Sequence, residues 1–280
     1  MAALRARLGV FLLLFISPAR AYGGTAPIPA RTPPASGIPP WEAPAPRLCR
    51  IEPRPIVIDP GHGGDDLGAV AYGRYEKDIA LAVARKLRDR LQALGLAPVR
   101  LTRDSDDFVP LDGRVRETSA WDGALFVSLH ANQVFRSSLH GVTVYAFGHG
   151  PGRSDRNHRR HRKAPPLPAP PAEQVRASDG LAAALARGLR RERFQVEQPE
   201  RAQYYVLKNP RTPSVLVEMG YLSNPVEAQL LSDPDYQDRL AAALARSLAE
   251  HLARYAAQRG GPAIGKAQAP AAAGLELQEL

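Results

Sequence analysis

The chain has 280 residues, 44% of them hydrophobic, a formal net charge of +9 at pH 7 and a single cysteine, Cys49. One cysteine excludes an internal disulfide, so an ordered domain must rest on its core, and the apolar fraction suffices for one domain of ordinary size. The positive charge is concentrated in one short segment, which argues against a nucleic-acid partner as the basis of function.

Met1 to Ala21 carries Arg5 and Arg7, then the apolar run Val10 to Ile16, then Ala19-Arg20-Ala21. This is the layout of a secretory signal peptide with a small-x-small cleavage site, and its apolar run is too short to span a bilayer. A mature protein exported to the periplasm or cell wall, with no stable membrane insertion after signal cleavage, is expected. The competing reading of the same run is a buried N-terminal helix. Residues 22–54 are rich in Pro, Ala and Gly and read as a linker.

The ordered domain is expected over 55–257. Apolar, β-branched runs predict strands at Ile56–Asp59, Pro98–Thr102, Leu125–Leu129, Gly141–Phe147, Tyr204–Leu207 and Val215–Glu218. Helical spacing places Ile79, Val83, Leu87, Leu91 and Leu94 on one stripe, with Gly95 as its stop. A second stripe holds Leu181, Leu185 and Leu189 behind Ser178 as a candidate cap. A third holds Leu240, Leu244, Leu248 and Leu252. Strands alternating with amphipathic helices predict an α/β fold: one domain with a mostly parallel, twisted central sheet flanked by helices.

The segment 149–171 interrupts this pattern. Arg153, Arg156, Arg159, Arg160, Arg162 and Lys163 face only Asp155, beside His158 and His161, and a proline-rich run follows. Such a composition cannot bury a core and reads as a basic insertion, either solvated or touching an anionic polymer or membrane surface. No aromatic residue interleaves with the charges, which argues against a platform for single-stranded nucleic acid. Residues 258–280 read as a disordered tail.

Polar residues gather where the apolar runs end. His62 follows the first strand inside Gly61-His62-Gly63-Gly64, His130 and Asn132 close the third, and Glu218 ends Val215-Leu216-Val217. In open α/β sheets, ligands bind beyond the carboxyl ends of the strands, so two histidines and a carboxylate converge there. A carboxylate buried behind three apolar residues needs a compensating partner, either a metal, an arginine or a helix end. Imidazole with carboxylate suits zinc, and three protein ligands leaving one position open is the catalytic pattern. Asp65, Asp66, Glu76 and Asp78 all follow His62 closely enough to complete it. Glu76 is favoured because it stands at the start of a helix rather than in the glycine-rich loop. Asn132 either orients a ligand or forms a turn, and Arg114 either meets a substrate carboxylate or forms a structural salt bridge. His140, His149, His158, His161 and His251 read as solvated or partly exposed.

Ile58-Asp59-Pro60-Gly61-His62-Gly63-Gly64 with Gly68, then Glu76-Lys77-Asp78, Leu101-Thr102-Arg103, Ser128-Leu129-His130-Ala131-Asn132 and Val217-Glu218-Met219-Gly220-Tyr221-Leu222-Ser223-Asn224 carry a resemblance. In this order, from about 55 to 255, they are similar to the zinc-dependent N-acetylmuramoyl-L-alanine amidases of bacterial cell-wall turnover. The resemblance implies that His62, Glu76 and His130 hold Zn2+ and that Glu218 is the catalytic acid/base. It also implies peptidoglycan as substrate and a protein activator as a partner. Relatives often carry a helical regulatory insertion where this chain has its basic segment. That segment holds only Asp155 as a carboxylate, so zinc blockade by an acidic side chain is not expected, and His158 or His161 would be the alternative donors. Two rival functions are a zinc hydrolase of other specificity and a non-catalytic peptidoglycan-binding protein on the same fold. The absence of a His-Glu-x-x-His helix weakens the first, and the presence of His62, His130 and Glu218 weakens the second.

Overall fold

The computed structural model describes residues 54–134, 137–150 and 164–258. The predicted signal peptide, all but the last residue of the linker, most of the basic segment and the tail beyond 258 lie outside the described residues. Among the described residues, no helix is long and apolar enough to cross a membrane.

Six strands form the sheet: β1 (Ile56–Pro60), β4 (Val99–Leu101), β5 (Leu125–Asn132), β6 (Thr143–Phe147), β7 (Glu200–Ala202) and β8 (Ser214–Tyr221). Their spatial order is β4-β1-β5-β8-β6-β7, and a separate hairpin pairs β2 (Val70–Ala71) with β3 (Arg74–Tyr75). β1 pairs in parallel with β4 and β5, β5 with β8, and β6 with β7; only β6 against β8 is antiparallel. Among the described residues, five α-helices accompany the sheet: α1 (Glu76–Leu94), α2 (Leu111–Ala120), α3 (Ala172–Arg191), α4 (Pro225–Ser232) and α5 (Pro234–Gln258).

Both sheet faces are covered, which is why the central strands read as continuous apolar runs rather than alternating ones. Ile56, Ile58, Val127, Leu129, Val215 and Val217 pack with the leucine stripes of α1, α3 and α5. Val57, Phe126, Tyr145 and Leu216 face the other way, against Val206 and Leu207 and the half-buried Leu111 and Trp121. The C-cap of α1 is Gly95, in the left-handed region at φ 62°, as its position after the leucine stripe predicts.

The chain departs from its sequence pattern at several places, three of which bear on the site and its frame. Tyr204–Leu207, predicted as a strand, includes a 3-10 helix at Tyr205–Leu207, and the edge strand is Glu200–Ala202. The ladder ends where Ala202 meets Phe147, so the following residues have no strand to pair with. Tyr204 instead stacks edge-on against Tyr145, with ring centroids 5.4 Å apart. Ser178 is not a cap but lies inside α3, where its hydroxyl donates to Gln174 O and accepts from Ser214 N, tying the helix to the start of β8. The last strand does not stop at Glu218 but continues to Tyr221, so Glu218 stands within β8.

Because β6 runs antiparallel to β8, with Thr143 opposite Glu218, the chain up to Gly150 leaves the sheet at the end remote from Glu218. The described remainder of the predicted insertion, residues 164–171, has no regular secondary structure, and Pro165 O accepts the Tyr205 hydroxyl at 2.7 Å. His158 and His161 lie outside the described residues.

α3 and α5 approach closely at Gly188. A Cβ there would overlap the buried hydroxyl of Ser247, which already donates to Ala243 O at 2.7 Å. Gly188→Ala is therefore expected to lower stability by about 1–3 kcal/mol, read as a shift of the denaturant midpoint.

Candidate metal centre

β1 ends in Asp59-Pro60 and the chain turns sharply through His62 (φ 60°), Gly63 (φ 125°) and Gly64 (φ 57°). Glycine adopts such angles without strain, but a histidine does so at a cost that surrounding contacts must sustain. Those contacts come from two arginines. Arg114 Nη2 donates to His62 O and Arg103 Nη2 to Gly61 O, both at 2.7 Å. The imidazole is then oriented by its Nδ1 against Asp66 Oδ2 at 2.9 Å, leaving Nε2 facing Glu76 Oε1 at 3.1 Å.

The β2–β3 hairpin delivers the chain into α1, so Glu76, its first residue, points back under the loop. Its carboxylate is fixed from several sides. Oε2 accepts from Ala69 N at 2.7 Å, and Oε1 accepts from Ala131 N at 3.0 Å and lies 2.8 Å from His130 Nδ1. Two glycines leave room for this packing. A Cβ on Gly61 would run into the His130 ring, and one on Gly68 (φ 66°) would come within 2.6 Å of both Glu76 Oε2 and His62 Cδ2.

His62, Glu76 and His130 each offer one ligand atom, all within 4.8 Å of one another, a group able to hold a metal ion. Glu218 is the register partner of His130 on the neighbouring parallel strand, so the two side chains leave the same face of the sheet side by side. It is buried, only 8% exposed.

The electrostatics of the group favour a cation. Burial would lower the His62 pKa, but the Glu76 carboxylate, aided by Asp66, outweighs it and pushes the group up to about 10. Glu76 in turn is held far below the usual carboxylate range, because the two imidazoles outweigh its burial. Beneath the cluster, Asp59 is fully buried yet also lowered. Burial pushes it up, and Arg114 with the hydroxyls of Ser128 and Thr102 more than compensates.

Of the four carboxylates that sequence left open beside the two histidines, only Glu76 reaches both. Asp65 and Asp78 are exposed, and Asp66 orients His62 from outside the group. Arg114 is a structural ion pair: its Nη1 lies 2.6 Å from Asp59 Oδ1 and it also binds the carbonyls of Pro60 and Val109. Asn132 belongs to β5 and forms no turn. His140 and His149 are exposed, and His251 is half-buried in α5. Sequence reasoning missed the orienting contact of Asp66 and the two backbone donors to Glu76. The i,i+4 spacing of His62 and Asp66 is the one signal that could have pointed to the first.

A family model described as N-acetylmuramoyl-L-alanine amidase matches residues 56–250, the whole span that carries the sheet and this cluster. The chain belongs to that family. It is accordingly a hydrolytic enzyme, and among curated family members the germination-specific N-acetylmuramoyl-L-alanine amidase of Bacillus subtilis is 30% identical, the match covering 80% of this chain and 86% of that protein. The solved structure of the amidase AmiC2 of Nostoc punctiforme is 30% identical with a TM-score of 0.58, covering 71% of this chain and 96% of that one. The CwlD amidase of Clostridioides difficile, solved in complex with the GerS lipoprotein, is 28% identical with a TM-score of 0.57, covering 71% of this chain and 98% of that one.

Proposed function

We propose that this amidase is zinc-dependent and hydrolyses the amide between the lactyl group of N-acetylmuramic acid and L-alanine of the peptidoglycan stem peptide, in cell-wall turnover and daughter-cell separation. The observation that carries the reading is the His62–Glu76–His130 cluster at the carboxyl ends of β1 and β5, with Glu218 beside it. A set of two imidazoles and one carboxylate suits zinc, and three protein ligands leave a position for the reaction. The fit is supported by the donor set: one atom each from His62, Glu76 and His130 lies within 4.8 Å of the other two, close enough for all three to hold one ion. Asp66 on the far nitrogen of His62 and the backbone donors on Glu76 supply the outer contacts that keep such ligands oriented.

When bound, zinc supplies Lewis acidity, polarising the amide carbonyl and making water a competent nucleophile near neutral pH. Glu218 takes the proton of the attacking water and passes it to the alanine nitrogen as the C–N bond breaks. The products are the free lactyl carboxylate and a stem peptide with a new amino terminus.

The signal-peptide pattern of Met1–Ala21 supports export to the periplasm or cell wall, where peptidoglycan lies. A protein activator is a further proposed partner, supported by the solved CwlD–GerS complex.

The test is digestion of purified peptidoglycan followed by mass analysis of the fragments. Intact stem peptides beginning at L-alanine are expected; cuts confined to sugars or to peptide bonds would refute the specificity, and no cut with retained binding would favour the non-catalytic rival. His62→Ala is expected to lose both metal and activity. Stoichiometric zinc in that variant, measured by elemental analysis, would refute its role as a ligand.

A further inference from the structure

Asn132 is the last residue of β5, two positions beyond His130. Ala131 between them is buried in the core, so His130 and Asn132 share the opposite face, the one that carries Glu218 on the adjoining strand. The backbone of Asn132 is firmly held, opposite Tyr221 in the ladder and with its carbonyl accepting Leu222 N at 2.7 Å. The register of β5 on β8 shifts between His130 and Asn132. The extra residue falls in β8, where three steps from Glu218 to Tyr221 match two from His130 to Asn132, so β5 keeps its alternation at Asn132. The side chain is where the structure is incomplete: Asn132 Nδ2 is buried from solvent and finds no acceptor among the described residues. Buried amide donors are nearly always paired, because one removed from water without a partner costs a hydrogen bond.

Resting on the amidase reading above, we infer that Asn132 Nδ2 donates to an amide carbonyl of the substrate adjacent to the scissile bond, holding that bond against the metal cluster. Alternate residues on one strand face stand roughly 6.5–7 Å apart. The substrate spans that distance by one unit on either side of the scissile amide, to the acetamido carbonyl of the sugar or to the carbonyl of L-alanine. A fixed donor at this place serves orientation, since it restrains the amide without taking part in proton transfer.

The experiment compares three substrates: N-acetylmuramoyl-L-alanyl-D-isoglutamine, its de-N-acetylated counterpart, and the ethylamide of N-acetylmuramic acid, which ends before the alanine carbonyl. Asn132→Ala is expected to lose about 10- to 100-fold in kcat/KM on the first, with zinc content and Tm unchanged. On the one analogue that lacks the contacted carbonyl, wild type falls to the level of the variant and the variant loses nothing further, which identifies the acceptor. A variant within twofold of wild type on all three overturns the inference, as does an equal proportional loss on all three. The wild-type comparison needs no variant to fold, and equal kcat/KM on all three substrates also overturns it. Wild-type protein that cleaves none of them overturns the amidase reading itself, and the inference with it.

Discussion

Glu218→Gln is expected to fold as the parent does and to hold its metal, yet to lose about 10²–10⁴-fold in kcat. The substitution preserves the shape of the side chain on β8 and removes its capacity to carry a proton between water and the leaving nitrogen. His62, Glu76 and His130 are held by contacts that do not involve residue 218: Asp66 on His62, and the backbone amides of Ala69 and Ala131 on Glu76. Metal content should therefore be unchanged while turnover collapses, and elemental analysis beside a kinetic assay separates the two. Full activity in this variant would refute the proposed acid/base role. Loss of metal would place Glu218 among the ligands instead.

Arg114→Met is expected to lower stability by about 3–5 kcal/mol at neutral pH, the cost of leaving one partner of a buried ion pair uncompensated. The pair is sealed, with Arg114 3% and Asp59 1% exposed at the side chain. The pH dependence gives a second check. In the parent, Asp59 titrates below its ordinary 3.8, so its contribution is fully present above that value and fades only as the pH falls through the lowered pKa. Without Arg114, burial dominates and the folded-state pKa rises above the unfolded one, so the variant regains relative stability in acid. The gap between the two proteins in urea denaturation should be widest near pH 7 and narrow below about pH 4. Adding Asp59→Asn to the variant should recover part of the loss, because it removes the orphaned charge. Since Arg114 also holds His62 O, activity should fall with the structure of that loop.

The topology of the sheet explains why the cluster is legible in the sequence. Strand-end residues in a parallel sheet converge by topology, so locating His62 after the first apolar run and His130 at the close of the third is enough to bring them together. Glu218 followed from the same rule even though its strand runs on to Tyr221, because register with His130, not the strand terminus, sets its position. The leucine stripes of α1, α3 and α5 were equally plain, since each presents one apolar face at a 3.6-residue period. The failures are local and share a cause. Tyr204–Leu207 has the composition of a strand and lacks only a partner, which composition cannot reveal. Ser178 has the chemistry of a cap, but the helix begins six residues earlier, directly after the proline run. α2, with its mixed polar sequence around Arg114, shows no clean stripe and went unpredicted.

What the amino-acid sequence determined by itself is the α/β class, most of the sheet-forming runs, the helical stripes and the placing of His62, His130 and Glu218 where apolar runs end. These depend on periodicity and on the chemistry of individual side chains, both of which are local. Only the tertiary structure decided which carboxylate joins the two histidines, that Asp66 orients one of them, that Arg114 serves Asp59 rather than a ligand, and that Asn132 Nδ2 has no acceptor among the described residues. Each of these is a contact between residues distant in the chain or a choice among equivalent neighbours. Contacts of that kind are set by packing and strand register, which no single stretch of sequence specifies.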